Sequence, residues 1–313
     1  NLSFFSDVKV LNVHTPEDYH HMPVAGFDAS TLPTSVTALT LAFGNALEFV
    51  TSSTTRLIDT FPHLTKLTIQ TGTVQTSLTD TAHLTLLEGL TEVNVPITVS
   101  VHNLHHLPRS VARLSGIALD PVYDAKIISD VIVASALPPN LEQLEISVGL
   151  LGGLLLRGVH KPPLVPTLHT LKITCVAATT PAITAAAGSN ITITPEAALI
   201  RHDHLMSNVA LALLPQNLQS LEIDFGHLGI APDPEPAEST ISLLTRACVA
   251  TLPKHLTSLV LVQCPFLTRG PQLLGLSRNL TKLHLSPVKF DSADLTQLPG
   301  TLTDLVLIKR RER

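Results

Sequence analysis

A ten-residue phrase recurs along this chain and limits what it can fold into. It reads Leu-Pro-x-x-Leu-x-x-Leu-x-Leu/Ile at residues 32–41, 137–146, 214–223, 252–261 and 298–307, with Val36 replacing one leucine. Versions lacking one element start their apolar triplet at Leu64, Leu90, Leu168 and Leu280. A degenerate version starts at Val111, and Phe5-x-x-Val8-x-Val10 fits the template at the amino end. Fifty residues lie between Leu168 and Leu218, about two periods, so Ile191-Thr-Ile193 is read as a further strand from a start at 188. Twelve starts result, at a mean spacing of roughly 27 residues, a period that marks stacked repeats. Counted from the first leucine of each triplet as position 1, the alternation Leu-x-Leu turns positions 4 and 6 to one face of a short strand. Positions 3 and 5 then face the other way. One such turn cannot bury its apolar face alone, so neighbouring turns must stack into a continuous core with a parallel sheet.

These residues resemble the leucine-rich repeat proteins over nearly the whole chain, and the Leu-Pro lead-in is similar to a subgroup found in bacterial effector and protist repeats. The resemblance implies an α/β leucine-rich-repeat solenoid. That fold is a curved, horseshoe-like coil with a parallel sheet on its concave face and mixed helical and extended returns. One departure stands out. The family places Asn, Cys or Thr three residues after the last leucine, where it satisfies backbone groups at the bend. Here that place holds Gly44, Gly72, Thr98, Gly149, Val176, Gly226, Cys264 and Val288. The bends must therefore close by another route.

One solenoid domain over 1–313 is expected, with 1–31 as an amino-terminal capping turn, 227–240 as a proline-rich acidic insertion and 309–313 as a basic tail. The longer returns have room for helices. Residues 122–136 carry Ile127, Ile128, Val131 and Ala134 at helical spacing after Asp120-Pro121. Thr194-Pro195-Glu196 reads as a cap and first turn opening a helix towards Leu213, and Ser239 as the cap of another through Cys248. The uncharged stretch 174–189 fits either a packed return or a loop.

Composition narrows the function. Only 14% of residues are charged and the formal net charge is -5, which gives no electrostatic footprint for nucleic acid or an anionic membrane. The longest strongly apolar run, 148–156, is far short of the roughly 20 residues a spanning helix needs. Three cysteines, Cys175, Cys248 and Cys264, form no CxxC and support neither a disulfide framework nor a zinc site. The densest histidine groups, His202-Asp203-His204 and His102 with His105-His106, lack converging ligand spacing and read as structural or solvent-facing rather than metal-binding. No nucleophile elbow, zinc-protease motif or phosphate loop is present, so no catalytic, cofactor-binding or metal residue is assigned. Neither end carries cysteine-rich caps, which favours an intracellular protein over a secreted one, although Asn1, Asn190 and Asn279 sit in Asn-x-Ser/Thr sequons.

The remaining function class is a non-catalytic scaffold or adaptor whose partner is another protein. The alternative is a structural subunit of a larger complex or polymer, in which the partner is a second copy of the chain. No small-molecule substrate is evident. The outward charges Lys66, Glu92, Arg113, Glu145, Lys172, Glu222, Lys282 and Asp304 are candidate partner contacts, with Phe43 and Phe225 as rim anchors. The same charges fit an ordinary solvated sheet, and the same phenylalanines fit core packing at the bend. The strand at 305–307 is read as an open end that docks on a neighbouring subunit.

Overall fold

The computed structural model describes residues 7–14, 32–42, 61–70, 88–95, 98–99, 107–119, 137–148, 165–175, 214–224, 252–262, 276–288 and 295–309. The elements in them are β1 (Val10–His14), β2 (Ala38–Ala42), β3 (Lys66–Ile69), β4 (Glu92–Asn94), β5 (Thr98–Val99), β6 (Arg113–Leu119), β7 (Gln143–Val148), β8 (Thr170–Cys175), β9 (Ser220–Asp224), β10 (Ser258–Val262), β11 (Lys282–Val288) and β12 (Asp304–Lys309). The chain divides into two compact units. One is residues 1–120 with 135–146, and the other is 121–134 with 147–313. In the first the strand order is β1-β2-β3-β4-β6-β7, with the two-residue β5 beside β6; in the second it is β8-β9-β10-β11-β12. The pairings run parallel and in step with the repeat, as in Ala38↔Lys66↔Glu92↔Arg113 and Thr170↔Ser220↔Ser258↔Lys282. This one-strand-per-turn parallel stacking is a leucine-rich-repeat-like fold.

The core follows from the alternation. From β2 to β11 the apolar side chains at positions 1, 4 and 6 stack in rows, and none is more than 6% exposed. Burying each such side chain stabilises the fold by about 1.5–3 kcal/mol. β6 solves a local defect. Its position 6 is Gly116, which has a φ of 81°. A Cβ there would lie 2.9 Å from the Val95 backbone. The glycine makes a bulge that lets the next residue, Ile117, take the inward slot at 0% exposure. A second irregularity lies in β11, which carries one extra residue against β12 between Leu285 and Val288.

The lead-in has its own mechanics. The proline of Leu-Pro-x-x-Leu opens a tight turn in which its carbonyl accepts the N–H of position 1, as from Val111 to Pro108, Leu218 to Pro215 and Leu256 to Pro253. Proline suits this place because the turn asks for its carbonyl and not for an N–H. Phe61 and Val165 take the same role in the shorter versions, each buried.

Turns are joined at position 2. Its carbonyl accepts two backbone N–H groups from the next turn, those of positions 2 and 3, at 2.8 and 3.0 Å; Thr37 O receives Thr65 and Lys66, and Gln219 O receives Thr257 and Ser258. Where position 2 is threonine, its hydroxyl donates to the same carbonyl of the preceding turn. Thr37, Thr65, Thr91, Thr257, Thr281 and Thr303 do so at 3.1–3.2 Å. Lead-in side chains add a parallel set, with Ser35 donating to Val8 O, Ser110 to Leu90 O and Thr301 to Leu280 O. The bend positions Gly44, Gly72, Gly149, Val176, Gly226 and Cys264 lie outside the described residues. The hydroxyl ladder lies before the strand rather than after it.

Two expected starts are corrected. β1 pairs Val10 with Ala38, and Lys9 O takes the position-2 role, so the first triplet is Val8, Leu11 and Val13 rather than one starting at Phe5. Both phrases fit the template; only the second puts Leu11 and Val13 on the half-buried face of β1. β8 pairs directly with β9, Leu171 opposite Leu221, which leaves no place between them for a turn starting at 188. The returns expected as helices, the proline-rich insertion, Ile191-Thr-Ile193 and residues 310–313 lie outside the described residues.

Candidate protein-binding surface

The outward positions 3 and 5 form two rows across each unit, because parallel register sets equal positions side by side. In the first unit the position-3 row runs Val10, Ala38, Lys66, Glu92, Arg113, and the position-5 row runs Asn12, Thr40, Thr68, Asn94, Ser115. In the second unit the rows run Thr170, Ser220, Ser258, Lys282, Asp304 and Lys172, Glu222, Val260, His284, Val306.

The candidate charges are brought together, but with one another. Lys66 Nζ lies 2.5 Å from Glu92 Oε1, and Glu92 Oε2 lies 3.7 Å from Arg113, so one carboxylate bridges two cations over three strands. Lys172 meets Glu222 at 3.6 Å and Lys282 meets Asp304 at 3.9 Å. Glu145 is half-buried on β7 and also has an interaction partner. Such exposed pairs stabilise a fold by only about 0.2–1 kcal/mol, yet they engage the charges of each row with one another. Phe43 and Phe225 lie outside the described residues.

The rest of the outward face is partly closed. Thr68 and Val260 are 8% and 7% exposed although they point away from the core. His284, beside Val260 and Val306, buries Nε2 with no hydrogen-bond partner among the described residues. An unsatisfied buried nitrogen is costly, and the neighbouring valines offer it nothing. Val306 itself is 39% exposed, and with Leu305 at 44% and Ile308 at 49% it makes β12 the apolar edge of its unit.

Among the described residues no group of three or more His, Cys, Asp or Glu could hold a metal ion. The histidine groups around 102–106 and 202–204, together with Cys248 and Cys264, fall outside them. No helix among the described residues is long and apolar enough to cross a membrane. The features that reading by leucines passed over are the position-2 threonines and the polar lead-in residues. Their signal is present in the repeated Leu-Thr-x-Leu of 64–67, 280–283 and 302–305.

No protein-family model matches the chain, and no curated protein does either. Among solved structures the chain is similar to the leucine-rich repeat-containing protein LegL7 from Legionella pneumophila. The TM-score is 0.44 at 12% sequence identity, over 97% of this chain and 84% of that one.

Proposed function

We propose that the chain is a non-catalytic scaffold that binds another protein through the surface of its repeats, with the Leu-Pro triplets acting as leucine-rich repeats of α/β type. The observation that carries this reading is the parallel register. It fixes side chains of adjacent turns in straight rows on a rigid sheet, and such a surface suits an extended partner better than a small molecule. The test is affinity purification of the tagged chain from its source extract, followed by crosslinking mass spectrometry. A partner recovered in fixed ratio, with crosslinks to strand or lead-in residues, is the expected result. Recovery of the chain alone as a monomer overturns it.

A second reading is a structural subunit that packs against another copy in a complex or polymer. Light scattering of the purified chain separates the two. Large particles of the chain alone support the second reading, and a monodisperse monomer removes it.

A further inference from the structure

Charges on the described surface follow a rule with an exception. Where charged side chains hold the same repeat position in neighbouring turns of one unit, their signs alternate. Lys66, Glu92 and Arg113 do so, as do Lys172 with Glu222, Lys282 with Asp304, and Glu88 with Arg109 in the lead-in turns. Lys254 and Arg278 break the rule. They occupy the same place in the lead-in turns before β10 and β11, strands that pair with Ser258 opposite Lys282. Both are exposed, and neither has an ion-pair partner among the described residues. The flanking turns bring no acid, since the same place holds Gln216 on one side and Gly300 on the other.

The two backbones are fastened together. Ser277 Oγ donates to Lys254 O at 2.9 Å and Asn279 Nδ2 donates to the same carbonyl at 3.2 Å, while the Asn279 N–H donates to Ser277 Oγ. Two of these bonds join the turns, so the backbones that carry Lys254 and Arg278 lie one strand spacing, about 4.8 Å, apart. Like charges on adjacent turns repel, and an anion between them relieves the repulsion. For Lys66, Arg113, Lys172 and Lys282 a carboxylate at the same place in a neighbouring turn supplies that anion; among the described residues none does so for Lys254 and Arg278.

We propose that Lys254 and Arg278, with the exposed His255 beside them, are the docking point for an acidic segment of the partner protein. Its carboxylates would lie across the lead-in edge of β10 and β11. This rests on the scaffold reading and names the partner's chemistry. It also moves the contact from the self-paired outward rows to the edge beside them.

The probe is a fluorescein-labelled decaglutamate peptide, with decaglutamine as control, titrated into the full chain at low salt and followed by anisotropy. Decaglutamate binds and decaglutamine does not, and binding falls as salt rises. The double variants Lys254→Glu/Arg278→Glu and Lys254→Gln/Arg278→Gln weaken binding about tenfold or more, with unchanged circular dichroism. Arg109→Glu, an exposed cation in the first unit, leaves it within about twofold. Equal binding by wild type and both double variants overturns the proposal, as does no binding to wild type. Tighter binding of a ten-nucleotide oligothymidylate that needs the same two cations replaces it with a nucleic-acid site. If the purification recovers a protein partner equally with wild type and double variant, the docking point fails and the scaffold reading stands. If it recovers none, the scaffold reading itself fails.

Discussion

The turns around β3 and β11 carry threonine at position 2, whereas those around β6, β7, β8 and β9 carry Ala112, Glu142, His169 and Gln219 there. The backbone joint is the same in both groups. Glu142 and Gln143 reach Ala112 O at 2.8 and 3.0 Å, as Thr281 and Lys282 reach Thr257 O at the same distances. The threonine hydroxyl is therefore an addition to a joint that already holds. Backbone geometry and the inward rows make the turn; position 2 tunes it and is free to vary. That freedom explains how a helix-breaking, β-favouring residue and a long charged one stand at equivalent places without moving the register.

Five substitutions test this division, from the largest effect to the smallest. Leu221→Ala in β9 and Leu283→Ala in β11 each remove a side chain no more than 1% exposed, and each costs about 2–5 kcal/mol in urea unfolding. The two should agree within the scatter of cavity relaxation. A much larger loss in β9 would show that the threonine-free turns depend on their core more heavily, which would break the comparison. Gly116→Ala comes next. It places a Cβ at 2.9 Å from Val95 C and O in a left-handed conformation, at a cost of about 1–3 kcal/mol, with hydrogen exchange rising first in β4 and β6. The smallest effect belongs to position 2. Thr257→Val removes the hydroxyl bond to Gln219 O and costs about 0.5–1.5 kcal/mol, while Gln219→Thr adds the equivalent bond to His169 O and stabilises by a similar amount or less. No change in either variant would demote the ladder to a by-product of threonine's strand preference.

The inward rows are legible in the sequence, because Leu-x-x-Leu-x-Leu states a period and a face in one phrase. The strands duly begin two residues after Val36, Leu64, Leu90, Leu141, Leu168, Leu218, Leu256, Leu280 and Leu302. Val111 was legible only in part. A glycine at position 6 looks like a failed repeat, and its cure by a bulge that advances Ile117 is a backbone property with no sequence period. Phe5 misled because two overlapping phrases fit and only pairing with β2 chooses between them. Ile191-Thr-Ile193 misled because period counting assumes returns of even length, whereas β8 and β9 pair directly across fifty residues of sequence. The candidate contacts were less legible still. Lys66, Glu92 and Arg113 were correctly placed on the outward face, but their mutual pairing needs the register, which joins residues 26 and 21 positions apart. Lys254 and Arg278 were invisible to a search of the strands, since they stand in the turns that precede them.

The joint at position 2 has a consequence for how such chains grow. Each turn offers its neighbour one carbonyl and requires from it two N–H groups, and neither demand names a side chain. A turn is thus an interchangeable part. Excising 258–281, which would splice Thr257 directly to Lys282, leaves Gln219 O facing two equivalent donors, with the Lys282 N–H in place of that of Ser258, followed by the next leucine row in phase. Lengthening or shortening by whole turns is then neutral for the interior, and only the loops and the outer surface record the change. An array with this property can diversify by copying and deleting units while its interior stays solved, so its outer surface is free to follow whatever it must recognise.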